Sequence, residues 1–302
     1  MSHPHNHTHS HSDYNRAFAI GVALNVIYIV VEATYGFLAG SLALLADAGH
    51  NLSDVLGLLL AWGANYLVQR KPTERHTYGW RKSTILAALT NAVILLVAMG
   101  AIAWEAVQRF SDPSPVAGKT VIIVAAIGVV INTATALLFL SGRKTDLNIR
   151  GAFLHMAADA GVSAGVVLAG VVILATGWPW IDPVVSLTIT AIILVGTWGL
   201  LRDSFNLALD AVPAGIDPEA VKTYLSDLPG VTGVHDLHIW AMSTSETALT
   251  VHLVKPDAGD DDALIEQASR ELHDRFGIEH ITIQWERRPE LDHCGGSCEI
   301  NA

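Results

Sequence analysis

The sequence predicts an α-helical membrane protein with six transmembrane helices, followed by a small α+β ferredoxin-like cytoplasmic domain. Three observations predict it. Of 302 residues, 51% are hydrophobic and only 16% are charged, where a soluble domain carries nearer a quarter charged. The apolar excess lies between about residue 16 and residue 208 and resolves into six segments, each near the ~20 residues needed to span a bilayer. From Val212 onward the composition changes to shorter runs of alternating and amphipathic character.

Residues 1–14 carry His3, His5, His7, His9 and His11 among small polar neighbours. That composition suits a disordered, metal-collecting cytoplasmic tail; an added tag is the alternative. The spans are expected at Ala17–Ala39, Leu42–Tyr66, Ser83–Trp104, Lys119–Leu140, Ala152–Thr176 and Asp182–Leu201. Their linkers alternate in charge. The Gly40-Ser41 turn has none, while the next linker holds Arg70, Lys71, Arg75, Arg81 and Lys82. The third has only Arg109 and Lys119 near its ends, the fourth has Arg143, Lys144 and Arg150, and the fifth, Gly177-Trp178-Pro179-Trp180, has no basic residue. Basic loops stay cytoplasmic, so both termini are expected there, with Trp178 and Trp180 at the outer interface.

In the tail, Asp217–Leu228 reads as a helix, Val234–Trp240 and Ala248–Val254 as strands, Asp261–Phe276 as a helix and His280–Glu286 as a third strand. This order is most of a split βαβ unit. A core of about 75 residues is marginal alone, so pairing with a second copy, a homodimer, is expected. The expected domains are therefore 1–14, a His-rich tail; 15–210, the transmembrane domain; 211–288, the ferredoxin-like domain; and 289–302, a flexible tail with Cys294 and Cys298.

The net charge is −11 and no basic patch forms, which argues against a nucleic-acid partner. Two cysteines close together near one end do not make a disulfide framework. They offer soft thiolate ligands for zinc or form an idle tail. The N-terminus lacks the basic-then-apolar pattern of a cleaved signal.

The chemistry is concentrated in a repeated pattern. His50 and Asp54 lie four apart in the second span, and His155 and Asp159 lie four apart in the fifth. Positions four apart share one helix face, with Cβ atoms about 5–6 Å apart. Two nitrogens and two carboxylates suit a four-coordinate, zinc-like ion. Ionisable residues within membrane spans mark ion pathways by default, and a packing role does not call for the same pair twice. Histidine binds metal only when neutral, so protons and metal compete, and its ordinary pKa of about 6.5 places that competition near neutrality. A site open alternately to the two sides would then exchange metal for protons. Asp47, three residues before His50, is a candidate to orient an imidazole. Asn25, Glu32, Asn91 and Asn132 read as interhelical hydrogen-bonding residues, although a charge at Glu32 needs a partner. No H-E-x-x-H metallohydrolase motif occurs, and the set leaves no open position for water, so enzymatic activity is not expected. A membrane-bound metal sensor without transport is the alternative.

The pattern resembles the cation diffusion facilitator family, particularly its bacterial zinc-exporting branch. Leu45-Ala46-Asp47-Ala48-Gly49-His50-Asn51-Leu52-Ser53-Asp54 is similar to that family's second span. Tyr78-Gly79-Trp80 and Val234-His235-Asp236-Leu237-His238-Ile239-Trp240 are also family-like, and the resemblance covers Asn15 to Glu286. It implies a homodimer in the bacterial inner membrane that alternates between inward- and outward-facing states, with His50, Asp54, His155 and Asp159 as the transport site. In the family, His at the first position of this quartet is associated with zinc over cadmium; cobalt, nickel and cadmium remain alternatives. A further loop site of some relatives is not expected, since only His76 matches and Thr73 and Trp80 replace other ligands. Lys82 and Asp210 match positions that pair across the dimer in relatives. In the tail, His235 and His252 match ligand positions of a regulatory site, Gln284 replaces a usual histidine, and Glu286 occupies a carboxylate position.

Strand alternation independently expects Leu249, Val251 and Leu253 to face the helices, leaving His252 on the other face; Ile281, Ile283 and Trp285 likewise leave Gln284 and Glu286 there. His238 competes with His235 for that surface, and parity does not separate them.

Overall fold

The structure, a computed structural model, describes residues 11–138, 140, 147–257 and 261–287. Six long helices come first: α1 (His11–Leu38), α2 (Leu42–Val68), α3 (Ser83–Gln108), α4 (Gly118–Leu138), α5 (Leu147–Thr176) and α6 (Ile181–Ala208). Most extend beyond the expected spans. Helix α1 begins at His11, inside the segment expected to be disordered, and α5 begins at Leu147. No proline interrupts either stretch, and an established helix gains one hydrogen bond per added residue.

Helices α3, α4 and α6 and the Phe153–Thr176 part of α5 are each long and apolar enough to cross a membrane, and α1 holds a shorter apolar run, Asn25–Leu38. Helix α2 is less apolar than α3 or α4 because Asp47, His50, Asn51 and Asp54 fall across its middle. Those same residues make it the helix of chemical interest.

The described chain divides into two units, Met1–Leu59 with Asn91–Gly199 and Leu60–Thr90 with Leu200–Ala302. In the first, Tyr28, Leu44, Met99, Val121, Val124, Val166, Ile189 and Ile193 form a buried core drawn from all six helices. Helices α4 and α5 pack along one another. Their approach is close at Gly170, where a Cβ would come 2.8 Å from Ile122 Cγ1 and 3.3 Å from the Gly118 carbonyl oxygen. Small residues at such contacts let backbones approach where lipid gives helices no hydrophobic drive to associate.

A buried clasp fixes the start of α2. Asp182, in the first turn of α6, accepts hydrogen bonds from Ser41 Oγ (2.6 Å), Leu42 N (2.8 Å) and Ala43 N (3.4 Å). It thereby satisfies the free N–H groups of that terminus and meets its positive dipole end. Arg109 lies 3.8 Å from Asp182 and donates to the Gly40 carbonyl, closing the turn from outside.

The second unit contains α7 (Pro218–Ser226), β1 (Gly233–Ala241), β2 (Thr247–Val254), α8 (Asp261–Phe276) and β3 (His280–Glu286). Asp217 caps α7 by accepting from Glu219 N, and Pro218 follows at a position that needs no N–H donor. The sheet order is β1-β2-β3, with β1 antiparallel and β3 parallel to β2. Among the described residues β2 and β3 are neighbours, so β2-α8-β3 is a parallel crossover, consistent with a ferredoxin-like unit that is short of one strand. Leu249, Val251 and Leu253 face α7 and α8 in a core with Val221, Leu225, Ala268 and Leu272, as alternation expects. In the same unit, Lys82 Nζ lies 2.6 Å from Asp210 Oδ1, Arg81 pairs with Glu246 at 2.8 Å, and Thr244 N donates to Thr84 Oγ1.

Candidate metal centre

The i, i+4 pairs of α2 and α5 face each other. His155 Nε2 lies 3.2 Å from Asp54 Oδ2 and 3.7 Å from Asp159 Oδ2. His50 Nε2 lies 3.8 Å from Asp54 Oδ2 and 3.6 Å from Asp159 Oδ1. The four side chains thus form a ring in which every imidazole touches both carboxylates. The two imidazole rings stand 5.9 Å apart at 80°.

Zinc bonds of about 2.0–2.2 Å to nitrogen and oxygen in a tetrahedron place neighbouring ligand atoms about 3.3–3.6 Å apart. The four imidazole–carboxylate distances of 3.2–3.8 Å lie near that spacing, with Asp159 turning Oδ1 to His50 and Oδ2 to His155. One ligand atom from each of His50, His155 and Asp159 lies within 4.8 Å of the other two; Asp54 stands outside that mutually close set, near His155 at 3.2 Å and His50 at 3.8 Å. Two carboxylates and two neutral imidazoles carry a charge of −2, the complement of a dication. Asp159 is buried, and its Oδ2 and His50 Nδ1 have no hydrogen-bond partner. Buried polar atoms without partners are rare and call for an explanation such as an ion.

Asp47, expected as an orienting partner of His50, accepts instead from Ser163 Oγ of α5 at 2.9 Å. Ser163 was missed from the sequence, although it lies one turn beyond Asp159 on the same face. Glu32 is also buried, with donors from Tyr28 and Asn51.

A second cluster forms on the sheet. Glu286 Oε2 lies 2.9 Å from His235 Nε2, and its Oε1 lies 2.8 Å from His252 Nδ1. His235 and His252 are register partners across β1 and β2. A bulge between His235 and His238, with Asp236 at φ 49°, resolves the parity question. The extra residue puts His238 opposite Thr250, on the same face as His235, although the two are three residues apart. Glu286 faces two opposing influences. Burial pushes its carboxyl up, but the hydrogen bonds and charges of His235 and His252 outweigh this and hold it below its ordinary 4.5.

Lys82 and Asp210, expected to pair across a dimer, stand 2.6 Å apart within this chain. His76 stacks on Trp80 at 4.3 Å and its backbone N–H donates to Thr73 Oγ1; it joins no carboxylate cluster among the described residues. Residues 1–10, Cys294 and Cys298 lie outside the described residues.

Six membrane-spanning helices and a small α+β domain define a multi-pass membrane protein. The family model for the cation efflux transmembrane domain matches residues 18–207, and that for the cytoplasmic domain of cation efflux proteins matches residues 213–288. The zinc transporter ZitB of Escherichia coli (strain K12) is 39% identical over 99% of this chain and 96% of its own length. A cadmium, cobalt and zinc/H(+)-K(+) antiporter of Bacillus velezensis is 35% identical over 95% of this chain and 92% of its own. The solved metal-bound C-terminal domain of the CzcD transporter from Cuprividus metallidurans is 38% identical, covering 24% of this chain and 99% of that one, with a TM-score of 0.22. The chain belongs to the cation efflux family.

Proposed function

We propose that this protein exports Zn2+ from the cytoplasm in exchange for protons, as a homodimer in a bacterial inner membrane with both termini cytoplasmic. The carrying observation is the ring of His50, Asp54, His155 and Asp159, whose imidazole–carboxylate distances of 3.2–3.8 Å support a zinc-sized site. In this reading a protonated imidazole sits between two carboxylates as an ion pair when metal is absent. Zinc needs neutral imidazoles, so its entry expels protons, and re-protonation on the other side releases the metal. Asp54 and Asp159 carry the countercharge in both states, and with two neutral imidazoles they make the zinc-loaded site neutral, which suits a low-dielectric region.

The His235, His252 and Glu286 cluster supports a second role in the same protein. Two imidazoles and one carboxylate fit a zinc site with an open position. Glu286 is already bonded to both histidines, so metal must displace those bonds, which suits a weaker, regulatory site. The ZitB relative is named for zinc and the Bacillus relative for cadmium and cobalt as well; zinc is favoured here by the two-imidazole, two-carboxylate set.

Zinc accumulation in everted vesicles tests the transport reading. The wild-type protein accumulates zinc and Asp159→Ala reduces accumulation to that of vesicles lacking the protein. Retained accumulation in Asp159→Ala moves the site elsewhere.

A further inference from the structure

Beside the quartet, α1 and α2 bury two carboxyls together without a basic partner. Glu32 and Asp47 are both 0% exposed and share one pocket: Asn51, which donates to Glu32, lies one turn from Asp47 on α2, and a Cβ at Gly128 would meet both the Tyr28 hydroxyl (2.1 Å) and Ser163 Oγ (3.1 Å), donors to the two carboxyls. Glu32 Oε1 accepts from the Tyr28 hydroxyl at 2.7 Å and Oε2 from Asn51 Nδ2 at 3.3 Å. Asp47 Oδ2 accepts from Ser163, while Asp47 Oδ1 has no partner. No Lys or Arg among the described residues pairs with either group. The titratable groups facing this pocket are Tyr28 from α1, His50 from α2 and Asp159 from α5, the last two acting on Asp47 only through their charge. Helix α4 contributes the Val124 carbonyl, 3.4 Å from the Tyr28 hydroxyl, and Gly128. A Cβ at Gly128 would come 2.1 Å from that hydroxyl, so only glycine leaves the tyrosine room to reach Glu32.

Two carboxyls in one dry pocket cannot both be ionised. The pair must hold a cation, and its all-oxygen donor set suits a proton or a hard alkali ion rather than zinc. The available donors favour the proton: Tyr28, Asn51 and Ser163 already occupy three of the four carboxyl oxygens, leaving Asp47 Oδ1 alone without a partner and no ring of free oxygens for an alkali ion.

We propose that Glu32 and Asp47 form a second ion site, which shares a single proton between its carboxyls and surrenders it when zinc enters the quartet. The coupling is electrostatic and short. Asn51 directly follows His50 in α2, and Ser163 lies one turn from Asp159 in α5. A dication arriving at the quartet favours the fully ionised pair. The inference rests on the exchange reading above but not on the same observation.

Infrared difference spectroscopy of the full-length protein in lipid, zinc-free against zinc-loaded near neutral pH, tests it. The zinc-free protein should show a protonated-carboxyl C=O stretch that shifts in D2O and is lost on zinc loading. Glu32→Gln should lack this band while calorimetry still finds zinc bound. Tyr28→Phe, a milder change, should move the band to higher frequency by removing the hydrogen bond to the carbonyl. No band in the wild type, a band unchanged in both variants, a band indifferent to zinc, or a band that disappears when sodium or potassium is added each overturns the proposal. A zinc-sensitive band in a protein whose zinc flux ignores proton gradients would sink the exchange reading and leave the buried proton site standing.

Discussion

The two histidine–carboxylate clusters of this chain use the same chemistry in opposite ways. In the membrane, His50, Asp54, His155 and Asp159 stand 3.2–3.8 Å apart, and buried atoms of His50 and Asp159 lack partners. On the sheet, Glu286 bonds both His235 and His252 at 2.8–2.9 Å, so the cluster is satisfied by itself. The difference lies in the scaffold. Two facing helices with i, i+4 pairs hold four groups at ion-ligand spacing and cannot close further without moving helices. Neighbouring strands, about 4.7–4.9 Å apart, let one long Glu side chain reach both imidazoles. The first cluster leaves buried atoms unsatisfied, and the second satisfies its own polar groups.

The largest effect should come from His155→Ala, which removes the imidazole that touches both membrane carboxylates. Calorimetric zinc affinity at the quartet should fall by more than the roughly 10–100-fold that loss of an outer-shell partner costs, with the sheet site unchanged. A smaller loss would mean that three ligands suffice and that the two clusters differ less than their geometry implies.

Asp182→Ala tests whether the membrane cluster depends on a rigid frame. It leaves Arg109 with Glu105 as its remaining carboxylate and strips the start of α2 of its acceptor. Breaking a buried ion pair costs about 3–5 kcal/mol, so thermal unfolding in lipid should shift clearly downward.

Glu286→Gln should weaken zinc at the sheet without stopping transport at saturating zinc, separating the clusters functionally. The same residue gives a pH signature. Because the folded Glu286 carboxyl is held below its ordinary 4.5, its stabilising contribution is full above that value and disappears as pH falls through the folded value. Hydrogen exchange in β3, corrected for intrinsic rates, should show this acid-side loss in the wild type and not in Glu286→Gln.

The smallest effect concerns the bulge. Asp236→Val forces a β-branched residue into the left-handed region and should cost about 1–2 kcal/mol, read in chemical denaturation. Asp236→Gly should leave stability nearly unchanged. Equal behaviour of the two variants would remove the bulge from the account of how His235 reaches Glu286.

What was legible in the sequence follows the range of the interactions involved. Asp261–Phe276 and His280–Glu286 read the same in sequence and structure, because amphipathic period and strand alternation are local signals. The paired H-x-x-x-D spacing pointed to the quartet for the same reason: a helix fixes which residues share a face. The clasp at Asp182 was not legible, since it joins residues 140 positions apart and an acid at the start of a span has no local meaning. Glu32 drew notice as a charge needing a partner, but nothing in the sequence said that the partner would be another carboxyl. The bulge at Asp236 was invisible because an inserted residue breaks the period that strand reading relies on.

The most direct test of zinc–proton exchange through the quartet measures zinc and proton movements together in proteoliposomes with an acidic interior. The account expects zinc to enter faster against the outward proton gradient, protons to leave in step with it, and both movements to vanish in Asp159→Ala. Zinc entry that is indifferent to the gradient, or that persists in Asp159→Ala, would contradict it.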